Sequence, residues 1–129
     1  MLTATDALPE NENVKLSRLY VAVRSDLAPG QQLAQSVHAA FEFAVDFPSL
    51  TEVWRRTSNF LVVVGVRDED VLLELANSAA AFGIKHTVVR EPDYCNTVTA
   101  VALEPGEKAS KLCAEYPLAL KGMRERAMA

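Results

Sequence analysis

The chain has 129 residues, of which half are hydrophobic and 23% charged, and it carries a net charge of -4 with an isoelectric point near 5.2. That length and balance fit one globular domain around a single core and leave little room for two. The acidic balance argues against nucleic-acid binding through overall charge, so any RNA contact requires a local basic patch.

Residues 1–15 are polar and contain Pro9, Glu10 and Glu12, which reads as a loose N-terminal arm. Acids and prolines stand there in place of the basic and apolar pattern of an export signal. Leu16 to Arg24 becomes continuously apolar from Leu19 to Val23, as in a buried strand. Ser25 to Gly30 is a loop, and Pro29 with Gly30 leads into a helix that runs to about Asp46 before Pro48 stops it. On this helix Gln31, Gln35, His38 and Glu42 are spaced by four, three and four and share one stripe. A second stripe of Leu33, Val37, Ala40, Phe41, Ala44 and Val45 is apolar and is expected to face a sheet.

A short helix containing Trp54 is predicted over Leu50 to Arg56. Phe60 to Val66 is the strongest strand signal, β-branched and apolar on both faces, and therefore expected at the centre of a sheet. Asp68 is the expected N-cap of a helix from Glu69 to Phe82, which Gly83 stops. Ile84 to Arg90 reads as a third strand, Glu91 to Asn96 as a loop, and Thr97 to Leu103 as a fourth strand. Glu107 to Glu115 is a last helix, Pro117 to Leu120 an extended segment, and 121–129 a basic mobile tail. The alternation predicts an α/β protein, a three-layer α/β/α sandwich over residues 16–120. The link between the third and fourth strands is too short for a parallel crossover, so the two are antiparallel neighbours or belong to a mixed sheet.

Several common sites are missing from the sequence. It contains no glycine-rich phosphate loop, no dinucleotide fingerprint and no Gly-x-Ser-x-Gly elbow. His38 and His86 are not spaced for a metal, and Cys95 and Cys113 form neither a metal motif nor a disulfide framework, so no metal and no cofactor is expected. Two cysteines in this context suit a reducing, cytoplasmic compartment. No apolar stretch approaches the ~20 residues of a membrane span, so no membrane partner is expected.

Two segments remain as carriers of chemistry. One is the Gln31-Gln35-His38 stripe beside a strand end, where open α/β sheets bind ligands. The other is Arg90 to Thr99, where Glu91 and Asp93 lie close to the hydroxyls of Thr97 and Thr99. A carboxylate near a water can act as general base, and threonines can position that water or meet an oxyanion. Plain structural roles compete with each. Gln31 and Gln35 can be ordinary solvent-facing helix residues, and His38 a surface histidine. Glu91 and Asp93 can cap a turn or pair with Arg90, and Thr97 and Thr99, two apart and expected on one face, suit a strand by propensity alone. His86, Cys113 and Trp54 read as packing residues, and Cys95 lacks a matched base.

The segments Val21 to Leu27, Gly30 with Ala34-Gln35-Ser36-Val37-His38-Ala39-Ala40, Val89-Arg90-Glu91 and Thr97 to Pro105 resemble, in order and spacing, the type II peptidyl-tRNA hydrolases of archaeal and eukaryotic type. The likeness is greatest to the peptidyl-tRNA hydrolase domain-containing branch and spans about Leu19 to Leu120. It implies a mixed four-stranded sheet flanked by helices. It also implies metal-free hydrolysis of the ester between a peptide and the 3′-terminal ribose of tRNA. On that resemblance Gln35 and His38 match the family's Gln-x-x-His, Glu91 stands at the aspartate that begins its active-site loop, and Thr97 and Thr99 match the hydroxyl residues opening its last strand. His38, Glu91, Asp93, Thr97 and Thr99 are then the catalytic candidates. Arg24, Gln31, Gln35 and Arg90 are the substrate-binding ones, with peptidyl-tRNA as partner. The chain departs from the family at Gln31, where a lysine is usual, and in its active-site loop, which is shorter and lacks the Asp-Ala-Gly-x-Thr run. A binding module on the same scaffold, recognising tRNA or a protein without cleavage, is the alternative. A homodimer through a sheet edge or through the apolar end of the first long helix is a further expectation.

Overall fold

A computed structural model describes residues 17–122; the N-terminal arm at 1–15 and nearly all of the basic tail at 121–129 lie outside the described residues. The elements follow in the order β1 (Arg18–Arg24), α1 (Pro29–Asp46), α2 (Pro48–Thr57), β2 (Phe60–Val66), α3 (Glu69–Ala81), β3 (His86–Glu91), β4 (Thr97–Leu103) and α4 (Glu107–Cys113). Between β3 and β4 the chain makes one 3-10 turn over Pro92–Tyr94. Pro48 both stops α1 and opens α2, because a proline at the first helical position gives up only a donor that would be unpaired there anyway. Asp68 caps α3 as expected, its carboxylate accepting from the Val71 amide at 3.1 Å.

The sheet has four strands in the order β2-β1-β4-β3. β1 runs parallel to β2 and antiparallel to β4, and β3 pairs antiparallel with β4, so the sheet is mixed. The most continuously apolar strand, β2, is not central. β1 and β4 occupy the middle, where every residue from Val98 to Leu103 is buried. The outer edge of β2 is covered instead by the extended segment near 118. The Gly65 amide donates to the Pro117 carbonyl and the Ala119 amide to the Val63 carbonyl. A strand edge masked in this way can be as apolar as an interior one.

Side chains alternate across β1 into two cores. Leu19, Val21 and Val23 pack with Ala39 and Phe43 of α1. Tyr20 and Ala22 pack with Leu72 and Leu75 of α3 and with Ala109 and Cys113 of α4. Helices thus cover both faces, giving the three-layer sandwich.

The expected burial of α1 is overturned. Its inward face is Gln32, Gln35, Ser36, Ala39 and Phe43, while Leu33, Val37, Phe41 and Val45 are between 53% and 75% exposed. Counting ~100° per residue, the buried face lies roughly 150° around the helix from the apolar stripe. The reason is polar. Gln32 and Gln35 reach loop carbonyls, a carboxylate and a hydroxyl under the helix, and only this orientation supplies their partners. At the far end of α1 the buried Thr87 hydroxyl of β3 donates to the Asp46 carboxylate at 2.7 Å. That bond compensates an acid at the unfavourable, negative end of a helix. Thr87→Val is expected to lower stability by about 1–2 kcal/mol, seen as a lower urea midpoint at unchanged m-value.

Candidate active site

The site forms where β1, β3 and β4 end beside the first turns of α1. Glu91 closes β3 and caps the 3-10 turn, its Oε1 accepting from the Asp93 amide at 3.4 Å. Its Oε2 accepts from Gln35 Nε2 at 3.2 Å, and Gln35 Oε1 accepts from the Thr99 hydroxyl at 2.5 Å. Gln35 and Thr99 are both buried. The three form one directed chain, hydroxyl to amide to carboxylate. Because the Glu91 carboxylate can only accept, the amide nitrogen has to face it, and the Thr99 hydroxyl then donates to the amide oxygen. Residues 56 and 64 positions from Gln35 are thereby fixed on it.

A bulge delivers Thr99 to this chain. The β3–β4 register passes from Val89 opposite Ala100 to Arg90 opposite Val98, leaving Thr99 as the extra residue. Val98 packs into the core under α3 and α4, Ala100 into the core under α1, and the unpaired Thr99 turns to Gln35. A bulge breaks strand alternation and re-aims a side chain. The expected common face of Thr97 and Thr99 is corrected accordingly. Thr97 donates to the Tyr94 carbonyl at 2.7 Å and accepts from Arg24 Nη1 at 3.0 Å, a different set of partners.

Arg24 is largely enclosed and fully engaged. Its Nε and Nη2 donate to the two oxygens of Asp26 at 2.9 and 3.0 Å, and its Nη1 also reaches the Val98 carbonyl at 3.3 Å. The hydrogen bond to Asp26 is the main reason its pKa is raised; burial opposes this, and the charges of Asp26, Glu69 and Asp68 add to it. Glu69 takes part from α3, accepting from the Val98 amide at 2.7 Å and so anchoring the start of β4. Arg24 acts here as a brace for Thr97 more than as an open cation. Asp26 and Glu69 are members of the site that sequence reasoning missed. The Arg-Ser-Asp spacing of 24–26 was the available signal for the first, and nothing local marked the second.

The remaining candidates sit at the rim. Gln31 is exposed, and its Oε1 accepts from the Ala28 amide at 3.2 Å, closing the first turn of α1. His38 is exposed, one helical turn beyond Gln35, and makes no hydrogen bond or ion pair among the described residues. Asp93 is exposed and enters the network through its backbone only. Arg90 is exposed, donating to the Asn96 carbonyl at 3.3 Å. The loop turns through Cys95 and Asn96, both left-handed at φ 55 and 56, and the Asn96 amide donates to the Glu91 carbonyl at 3.0 Å. Hence Gln35, Glu91 and Thr99 are brought together, Arg24 and Thr97 join beside them, and the side chains of His38, Asp93 and Gln31 are not bonded into the cluster.

The pattern of a family lies across these elements. The family model for peptidyl-tRNA hydrolase PTH2 matches residues 17–114. The chain belongs to the peptidyl-tRNA hydrolase PTH2 family. A protein described as peptidyl-tRNA hydrolase from Methanocaldococcus jannaschii is 31% identical over 105 residues, covering 74% of this chain and 90% of that protein. A solved structure of a protein of unknown function, Atu0240 from Agrobacterium tumefaciens strain C58, superposes with a TM-score of 0.60 at 16% identity. It covers 79% of this chain and 96% of the other, and that likeness extends to the fold alone. The PTH2 match takes in all of Gln35, Glu91 and Thr99. Among the described residues no helix is long and apolar enough to cross a membrane.

Proposed function

We propose that this PTH2 chain is a metal-free esterase that cleaves peptidyl-tRNA between the peptide and the 3′-terminal ribose, as a divergent member of the archaeal and eukaryotic type, working in the cytoplasm. The observation that carries the proposal is the Thr99–Gln35–Glu91 chain at the strand ends. Glu91 takes a proton from water while Gln35 holds its Oε2, leaving Oε1 on the loop side. A positioned carboxylate of this kind contributes about 10²–10⁴-fold as a general base. Thr99 is a positioning residue, because its hydroxyl is spent on Gln35. The first-turn amides of α1 meet the developing oxyanion, as helix N-termini do. Asp93 and His38 border the ester from the loop and from α1, Thr97 keeps the end of β4 in place with Arg24, and Arg90 faces backbone phosphate.

A second reading, a tRNA- or protein-binding module without turnover, draws on one specific feature. Gln31 is neutral and Arg24 is paired with Asp26, so neither of these two positions offers a free cation beside Gln35 and Glu91. One assay separates the two readings. The purified chain is incubated with N-acetyl-aminoacyl-tRNA without added metal and free tRNA is measured over time. Release above the spontaneous rate is expected; binding without release assigns the module.

A further inference from the structure

The side chains of β4 alternate regularly only from Ala100 onward. Ala100 and Ala102 lie in the core under α1, and Val101 and Leu103 in the core under α3 and α4. Continued through the start of the strand, that alternation would turn Thr99 into the apolar core under α3 and Val98 toward α1 and Gln35. The bulge reverses both. Val98 is fully buried on the α3 side, and Thr99 meets Gln35. Pairing with β1 does not impose this choice, because the β1–β4 register runs from Tyr20 opposite Leu103 to Val23 opposite Ala100 and stops short of Thr99. Side chains grip Val98 instead, at both of its peptide groups. Glu69 Oε2 accepts from its amide at 2.7 Å, and Arg24 Nη1 donates to its carbonyl at 3.3 Å. Both partners are charged, and such hydrogen bonds are the stronger kind. Glu69 stands in the first turn of α3, just after the Asp68 cap, where the helix dipole favours an acid.

We propose that Glu69 is a positioning residue that sets the register of β4: by holding the Val98 amide it selects the bulged strand over the regular one and so aims Thr99 at Gln35. Its effect on turnover rests on the esterase reading, whereas the register does not. Glu69 works through Val98, Thr99 and Gln35 and meets Glu91 only at the end of that chain. The regular register is a real competitor, since it restores a continuous ladder between β3 and β4. Its fault lies in the side chains, with a hydroxyl placed among apolar groups and an isopropyl placed against a buried amide. The burial of Val98 and the bond from Glu69 therefore favour the same register. Glu69 belongs to neither core, so its side chain can be changed without opening a void beneath the sheet.

The test compares Glu69→Ala with Glu69→Gln in the full chain. Glutamine keeps an acceptor for the Val98 amide and alanine does not. In Glu69→Ala the side-chain amide signals of Gln35 are expected to move and the nuclear Overhauser contact between the Thr99 methyl and Gln35 to be lost. Its kcat for N-acetyl-aminoacyl-tRNA is expected to fall about 10–100-fold at unchanged KM. Glu69→Gln is expected to restore the contact and to bring kcat within about threefold of the wild type. Thr87→Val, which weakens the fold at the far end of α1, is expected to move neither readout and so separates register from stability. Wild-type Gln35 signals and kcat in Glu69→Ala overturn the inference, as does equal damage in the two variants. Where Glu69→Ala does not fold, the unaltered chain decides: a scalar coupling across the hydrogen bond from the Val98 nitrogen to the Glu69 carboxyl carbon is expected, and its absence overturns the inference. No hydrolysis by the wild type removes the esterase reading alone, and the Thr99–Gln35 contact in the variants then judges Glu69.

Discussion

Glu91→Gln is expected to reduce turnover of N-acetyl-aminoacyl-tRNA by about 10²–10⁴-fold and to leave substrate affinity within a factor of about two. The substitution removes a base and very little else. A glutamine at 91 can present its oxygen to Gln35 Nε2, so the bond that now measures 3.2 Å survives, and with it the Thr99 contact beneath. Its nitrogen then faces the Asp93 amide, where the present contact is long at 3.4 Å, so only a weak cap of the 3-10 turn is lost. The variant should therefore fold, bind and fail to cleave. Single-turnover kinetics with saturating enzyme, set beside equilibrium binding, read the two effects apart. Cleavage at the wild-type rate would take Glu91 out of the mechanism.

Gln31→Lys is expected to act in the opposite direction, raising kcat/KM by about 10–100-fold. A cation at the start of α1 adds to the dipole that already favours an anion there, and one well-aimed charge or donor at an oxyanion is worth about 10²–10³-fold in full. Gln31 is exposed, so a longer side chain has room. The change carries a small stability cost. Gln31 Oε1 now accepts from the Ala28 amide, a cap that lysine cannot make, and a positive side chain in a first helical turn opposes the dipole. Activity up and thermal midpoint slightly down is the combined signature. No gain over the wild-type rate, with the fold intact, would mean that position 31 does not reach the developing oxyanion, and no hydrolysis by either form would favour the binding module.

The layers of the fold were legible because they follow from apolar runs and stop signals. The continuous run in β1 predicts a strand buried on both faces, Asp68 and Gly83 bracket α3, and the short link from β3 to β4 excludes a parallel crossover. The misreadings share a physical cause: the deciding forces are hydrogen bonds between distant residues, which periodicity does not record. The apolar stripe of α1 promised a buried face, yet the buried amides of Gln32 and Gln35 turn the helix the other way. β2 reads as central, and only the pairing of 117–119 along its edge shows why so apolar a strand can lie outermost. Within the site, Gln35 and Glu91 were legible by residue type and family pattern. The bulge that separates Thr99 from Thr97 was not, since no glycine marks it and the extra residue is recognisable only against the partner strand. Arg24 was read as a substrate-binding residue, and its engagement with Asp26 and Thr97 was not legible because the bracing of Thr97 depends on where β4 begins.

The two thiols of the chain differ sharply in environment. Cys113, the last residue of α4, is buried in the core, where burial pushes its thiol up to about 12, so it stays protonated and shielded at neutral pH. Cys95 is exposed at the left-handed turn just after the Pro92–Tyr94 segment. A maleimide dye will consequently couple at a single position in the native chain, four residues from Glu91. The protein thus arrives with a ready attachment point for following movements of the loop between β3 and β4 by fluorescence, without any engineered cysteine.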